Sequence, residues 1–169
     1  MRYWVVGVVA AALSAGAMAA DSPWGYFEDG ASFGAGVQSS DGSQLLIKCD
    51  KKGKHEVFAV VVSPVSLAPP MPANKGESQP VTVRMDANAP YKDDWRANDR
   101  FAMAVDHGNA RALTRLLEKL DSASKMELEL RPLKSTPTTI NFPVAGAHEA
   151  IAKVFETCKD DNPLAKAAA

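Results

Sequence analysis

The sequence predicts an α+β domain: an antiparallel β-sheet meander of about six to eight strands with two packed α-helices, in the order β-rich first and then α-β-β-α. Three observations carry this. Short strand-like segments punctuated by turn residues fill the first two thirds of the chain, with no helical stretch between them of the kind that βαβ units require. The period then changes twice to that of a helix, at Leu113, Leu116, Leu117 and Leu120 and again at Ala147, Ile151, Val154, Phe155 and Cys158. Finally, Cys158 lies on the apolar face of the second helix, and Cys49 shares the inward side of a strand with Leu45 and Ile47. Both thiols therefore point into the core.

Taken in order, the chain opens with Met1 and Arg2, an apolar run from Val5 to Leu13, and the small-x-small triplet Ala17-Met18-Ala19. This is the pattern of a secretory signal peptide, residues 1–19, cleaved after Ala19 or Ala20. Its apolar part is too short for a permanent membrane span. A single domain is expected over 20–158 and a frayed tail over 159–169. Within the domain, Asp21 to Gly30 sets Trp24, Tyr26 and Phe27 among turn residues, as aromatics that lie across a core edge. Ala31 to Ser39 is a strand thinned by Gly34 and Gly36. The turn Ser40 to Ser43 contains the Asp-Gly pair that favours tight hairpins, and it leads into the strand from Gln44 to Cys49. After a turn at Asp50 to Gly53, His55 to Val62 is apolar on both faces, which predicts the central strand.

Ser63 to Pro80 carries five prolines, so an extended surface loop is expected there, either functional or a plain excursion. Val81 to Asp86 alternates, with Val83 and Met85 inward and Arg84 and Asp86 outward. A strand pair at Tyr91 to Arg96 and Arg100 to Val105 completes the meander. Asn109 is the expected N-cap of the first helix, whose flank carries Arg111, Arg115 and Lys119 at four-residue spacing. Met126 to Arg131 and Thr136 to Phe142 form a hairpin, and Pro143 and Gly146 hand the chain to the closing helix.

Composition narrows the function. The formal charge of −1 moves near minus two once Arg2 leaves with the leader, which is no nucleic-acid footprint. Two cysteines in an exported chain pair in one intramolecular way, Cys49 with Cys158, the alternative being two buried free thiols. His55, His107 and His148 are scattered without metal-ligand spacing. His148-Glu149 lacks the second histidine of a zinc protease, because position 152 is alanine. Ser122 to Lys125 has Ser-x-x-Lys spacing but ends a helix instead of starting one. Asp93-Asp94 and Asp160-Asp161 are sequence neighbours, not a facing glycosidase pair. No catalytic residue, cofactor or metal is expected.

The segments Leu45 to Cys49, Val81 to Asp86 and Phe142 to Gly146, with a closing helix that ends at Cys158, resemble small exported bacterial proteins of the type VI secretion-associated TagO/VasI family and, more loosely, of the invasion-associated locus B family. The pattern departs where Lys159 follows the last cysteine in place of a tryptophan. The resemblance implies a non-enzymatic accessory protein, periplasmic or secreted, whose partner is an envelope or secretion-system protein. No nucleic acid and no stable membrane insertion after signal cleavage are expected. Arg84, Asp86, Arg111, Arg115 and Lys119 are the candidate partner surface. The competing expectation is a small periplasmic inhibitor of an envelope enzyme, acting through the Pro-rich loop.

Overall fold

The structure is a computed structural model that describes residues 24–30, 32–50, 56–72 and 75–164. The expected leader, the last five residues of the tail and His55 lie outside the described residues. The chain forms β1 (Gly25–Asp29), β2 (Ser32–Gln38), β3 (Gln44–Cys49), β4 (Phe58–Val62), β5 (Glu77–Met85), β6 (Tyr91–Asn98) and β7 (Phe101–Ala104). A small ribbon of β8 (Asp106–His107) and β9 (Ala110–Arg111) then precedes α1 (Ala112–Leu120). The hairpin β10 (Lys125–Leu130) and β11 (Thr138–Pro143) leads to α2 (Ala147–Cys158). The α+β class and the order of its parts are as expected.

Every sheet pairing is antiparallel, and the nine-stranded sheet runs β1-β2-β3-β4-β7-β6-β5-β10-β11. The antiparallel sheet is as expected, but its strand order is not that of a simple meander. β7, not β5, lies beside β4, because the Pro-rich segment carries the chain across two strand positions before β5 begins. One strand of the sheet, β1, and the short β8–β9 ribbon are additions to the expected elements, at places where the local pattern is faint. β1 forms because Phe27 lies directly opposite Gly34, where a Cβ would sit only 2.5 Å from the Phe27 ring. Gly36 makes the same allowance for Leu46, 2.4 Å from a Cβ built there. The two glycines that thin β2 thus provide the flat shelf on which its neighbours' side chains lie.

Strand alternation builds the core. Val37, Leu45, Val61, Ala102 and Ala97 are successive cross-strand partners over five strands, all buried. Met85, Met126 and Phe142 make a second buried row over β5, β10 and β11. Both helices turn their apolar stripes into this core. Leu113, Leu116, Leu117 and Leu120 are buried on α1, and Ile151, Val154, Phe155 and Cys158 on α2. Cys158 is bonded to Cys49 across a sequence separation of 109 residues, which clamps α2 to β3. The sheet is curled enough for its edges to meet: the indole N–H of Trp24, just before β1, donates to the carbonyl of Pro143 on β11 at 2.8 Å.

Three local expectations change. β5 begins at Glu77, so Pro80 sits inside a strand; β10 pairs with β5 only from Thr82 to Met85, and at Pro80 the strand has a partner on one side alone, where a missing N–H is tolerated. Asn109 is not the N-cap. The Asp106 carboxylate takes that role, accepting the backbone N–H of Leu113 at 2.9 Å and of Thr114 at 3.2 Å, because the β8–β9 ribbon folds it back over the helix start. The first residues of the expected frayed tail are docked: Asp160 accepts the Val57 N–H at 3.0 Å, and Leu164 is fully buried.

Candidate binding cleft

Among the described residues, two of the cavities are large enough to hold a ligand or side chains of a partner. The first, about 790 Å³, lies where the β8–β9 ribbon, the start of β4 and the segment after α2 meet, and it is lined by Arg96, Arg111, Glu118 and Asp161 among others. Two of its carboxylates, Asp106 and Asp160, are already engaged with backbone N–H groups as described above. Its charges are mixed, and these two carboxylates serve the fold.

The second, about 470 Å³, is apolar and is assembled from three turns that converge at one end of the sheet. Ser63 ends β4 by accepting the Val65 N–H on its hydroxyl at 3.1 Å, while its backbone exchanges bonds with Arg100 at 2.9 and 2.8 Å. This turn projects Val65 outward. Pro132 breaks β10, and the Leu133 N–H then donates to the Ser66 carbonyl at 2.8 Å, which fixes the second lip against the first. The third wall is the tight turn at Gly42, where Asp41 accepts the Ser43 N–H at 2.9 Å and the Ser43 hydroxyl at 3.0 Å. Leu67, Leu130 and Ile140 are buried beneath. The lips are not: Val65 is 50% and Leu133 42% exposed, large apolar side chains held by fixed backbone bonds instead of being folded inward.

The residues expected as a partner surface are placed apart. Arg84 projects from the outer face of β5, 3.9 Å from Glu127. The Lys125 ammonium, 2.9 Å from Glu127, holds that carboxyl below its ordinary range, and Arg84 adds to the effect. Asp86 is structural. It turns the chain at a φ of +49°, and its carboxylate accepts the backbone N–H groups of Ser124 at 3.1 Å and Lys125 at 2.9 Å. We expect Asp86→Ala to cost about 1 to 3 kcal/mol in chemical denaturation, through two orphaned donors and a strained turn, and Asp86→Asn to recover most of it. Equal losses in the two variants would refute this role.

On α1, Arg115 is bonded to Asp93 at 2.9 Å, and the Lys119 ammonium lies 5.2 Å from the centre of the Tyr91 ring. Arg111 faces the first cavity. Burial pushes the Tyr91 hydroxyl well above the ordinary tyrosine range, and among the described residues it has no hydrogen-bond partner. Arg111 ends β9 and is not on the helix, contrary to the sequence expectation, and both basic positions of α1 itself are laid on the sheet. His148 pairs with Asp121, joining the start of α2 to the end of α1. Lys125 of the Ser-x-x-Lys string is engaged with Glu127, and among the described residues no group of three or more His, Cys, Asp or Glu side chains is placed to hold a metal ion. No described helix is long and apolar enough to cross a membrane.

The cleft has almost no signature in the sequence. Val65 and Leu133 sit in proline-bounded loops without periodicity, and only the length of the segment after β4 pointed to that region. No protein-family model, curated protein or solved structure matches the chain, so none of these comparisons supports the likeness drawn from its short motifs.

Proposed function

We propose that this chain is a non-enzymatic accessory protein of the bacterial periplasm that works by binding another envelope protein, and that the cleft between Val65 and Leu133 is the surface it uses. The observation that carries the reading is the pair of exposed apolar lips held rigidly over an apolar floor. An exported compartment is supported by the Ala17-Met18-Ala19 leader pattern and by the buried disulfide. The accessory role is read from the resemblance of its short motifs to the TagO/VasI and invasion-associated locus B families. In-cell crosslinking from position 133, followed by mass spectrometry, is expected to yield one dominant envelope protein; recovery of nothing, or of small molecules alone, refutes the reading.

A second reading has its own observation. The Pro-rich loop is pinned to the β6–β7 turn, with Leu67 and Ala68 donating to the Asp99 carbonyl at 2.6 and 3.1 Å and Met71 donating to the Asn98 side chain at 2.8 Å. A loop held this rigidly suits an inhibitor that presents a preformed segment to an enzyme. Replacing residues 69–72 by a Gly-Ser linker separates the two readings: an inhibitor loses its effect on the enzyme, whereas a cleft binder keeps its partner.

A further inference from the structure

We propose that the open edge of β11 beside the cleft is a strand-addition site, which takes a neutral, apolar, extended segment of a partner polypeptide; this deepens the binding reading above and rests on it. The backbone of β11 gives the direction. Val144, next in the chain, donates its N–H to Ser124 on the β10 side at 3.2 Å, while the Pro143 carbonyl points the other way and accepts the Trp24 indole at 2.8 Å. Successive backbone groups in a strand alternate sides, so the N–H and C=O of Thr139 and Asn141 face the same way as the Pro143 carbonyl. Among the described residues β11 pairs only with β10; β2 comes near β11 without pairing to it, so those groups have no strand partner. An edge of this kind is a template for another chain.

The cleft supplies what a bare edge lacks. Thr138 and Ile140 belong both to β11 and to the cleft lining, so a strand added at Thr139 and Asn141 sets its inward side chains over the apolar floor between Val65 and Leu133. The lining carries one charge of each sign, Asp41 on one wall and Lys134 on another, which favours a segment with no net charge. Trp24 closes the Pro143 end, so the added strand pairs over about four residues, roughly 13 Å.

The same geometry provides a clean variant. Pro143 already occupies an edge-facing position of β11, so Asn141→Pro removes an edge donor without touching the ladder to β10. The test pans a phage-displayed library of random dodecapeptides on the purified, disulfide-bonded protein, and measures the affinities of synthetic copies of the enriched sequences. Enriched peptides are expected to be neutral with apolar residues at alternate positions, and to bind Asn141→Pro and the double variant Val65→Asp/Leu133→Asp at least about tenfold more weakly at unchanged melting temperature. N-methylation of the peptide amides facing β11 is expected to abolish binding. Peptides that bind all variants alike overturn the strand-addition site while leaving a binding role intact, and so does a library without enrichment. The broader reading fails separately, by the absence of a crosslinked envelope protein.

Discussion

Replacing both Cys49 and Cys158 by alanine is expected to lower stability by about 4 kcal/mol and the melting temperature by about 8 to 16 °C. The bridge joins β3 to the last turn of α2 and closes 109 residues of chain, from β4 through α2. In the chain-entropy account, a loop of that length restricts the unfolded ensemble more than any local contact does. The native side adds to it. α2 packs on β1, β2 and β3, and its other ties to β1 are modest: the Tyr26 hydroxyl with Thr157 at 3.2 Å and the Lys153 ammonium 4.1 Å from the Tyr26 ring. Without the bridge α2 is held by its apolar face and these modest polar ties. Both sulfurs are buried, Cys49 at 1% and Cys158 at 0% exposure, so mild reductant is expected to act only as fast as the protein opens. Thermal unfolding of the double variant and of wild type checks the magnitude; a drop below about 1 kcal/mol would show that the closed loop adds little.

Phe142→Ala is expected to cost about 3 to 5 kcal/mol, while Asn141→Ala next to it changes stability by less than about 0.5 kcal/mol. The contrast follows from alternation on one strand. Phe142 is fully buried and continues the row that Met126 and Met85 make across β10 and β5, so its removal opens a cavity at a site enclosed by neighbours. Asn141 faces the outside, opposite Glu127. β11 is an edge strand that also forms the floor of the cleft through Ile140, so the loss of Phe142 is expected to loosen the cleft before the remainder of the sheet. Hydrogen exchange read strand by strand checks this, and uniform loss of protection over all strands would contradict it.

What was legible in the sequence follows the range of the signal. The limits of α2, the strand from Gln44 to Cys49 and the apolar stripe of α1 are each written in one continuous stretch, because side chains on a helix or strand repeat with the period of their own backbone. Residues whose surroundings come from elsewhere were not legible. Asp106 caps a helix from beyond a two-stranded ribbon, and Asp86 looks like an outward surface charge until β10 brings two N–H groups to it. The basic flank of α1 looks solvated until Asp93 and Tyr91 are placed against it.

The sequence by itself determined the α+β class, the order of its elements and the inward direction of both cysteines, since each depends only on local periodicity and on an even thiol count. Only the tertiary structure decided that β7 pairs with β4, that Trp24 meets Pro143 across the sheet, and that the turns at Asp41, Val65 and Leu133 converge on one cleft. Strand pattern states which face of a strand is buried but not which neighbour it pairs with. That choice is made by long-range packing and by how the connecting loops are tied down.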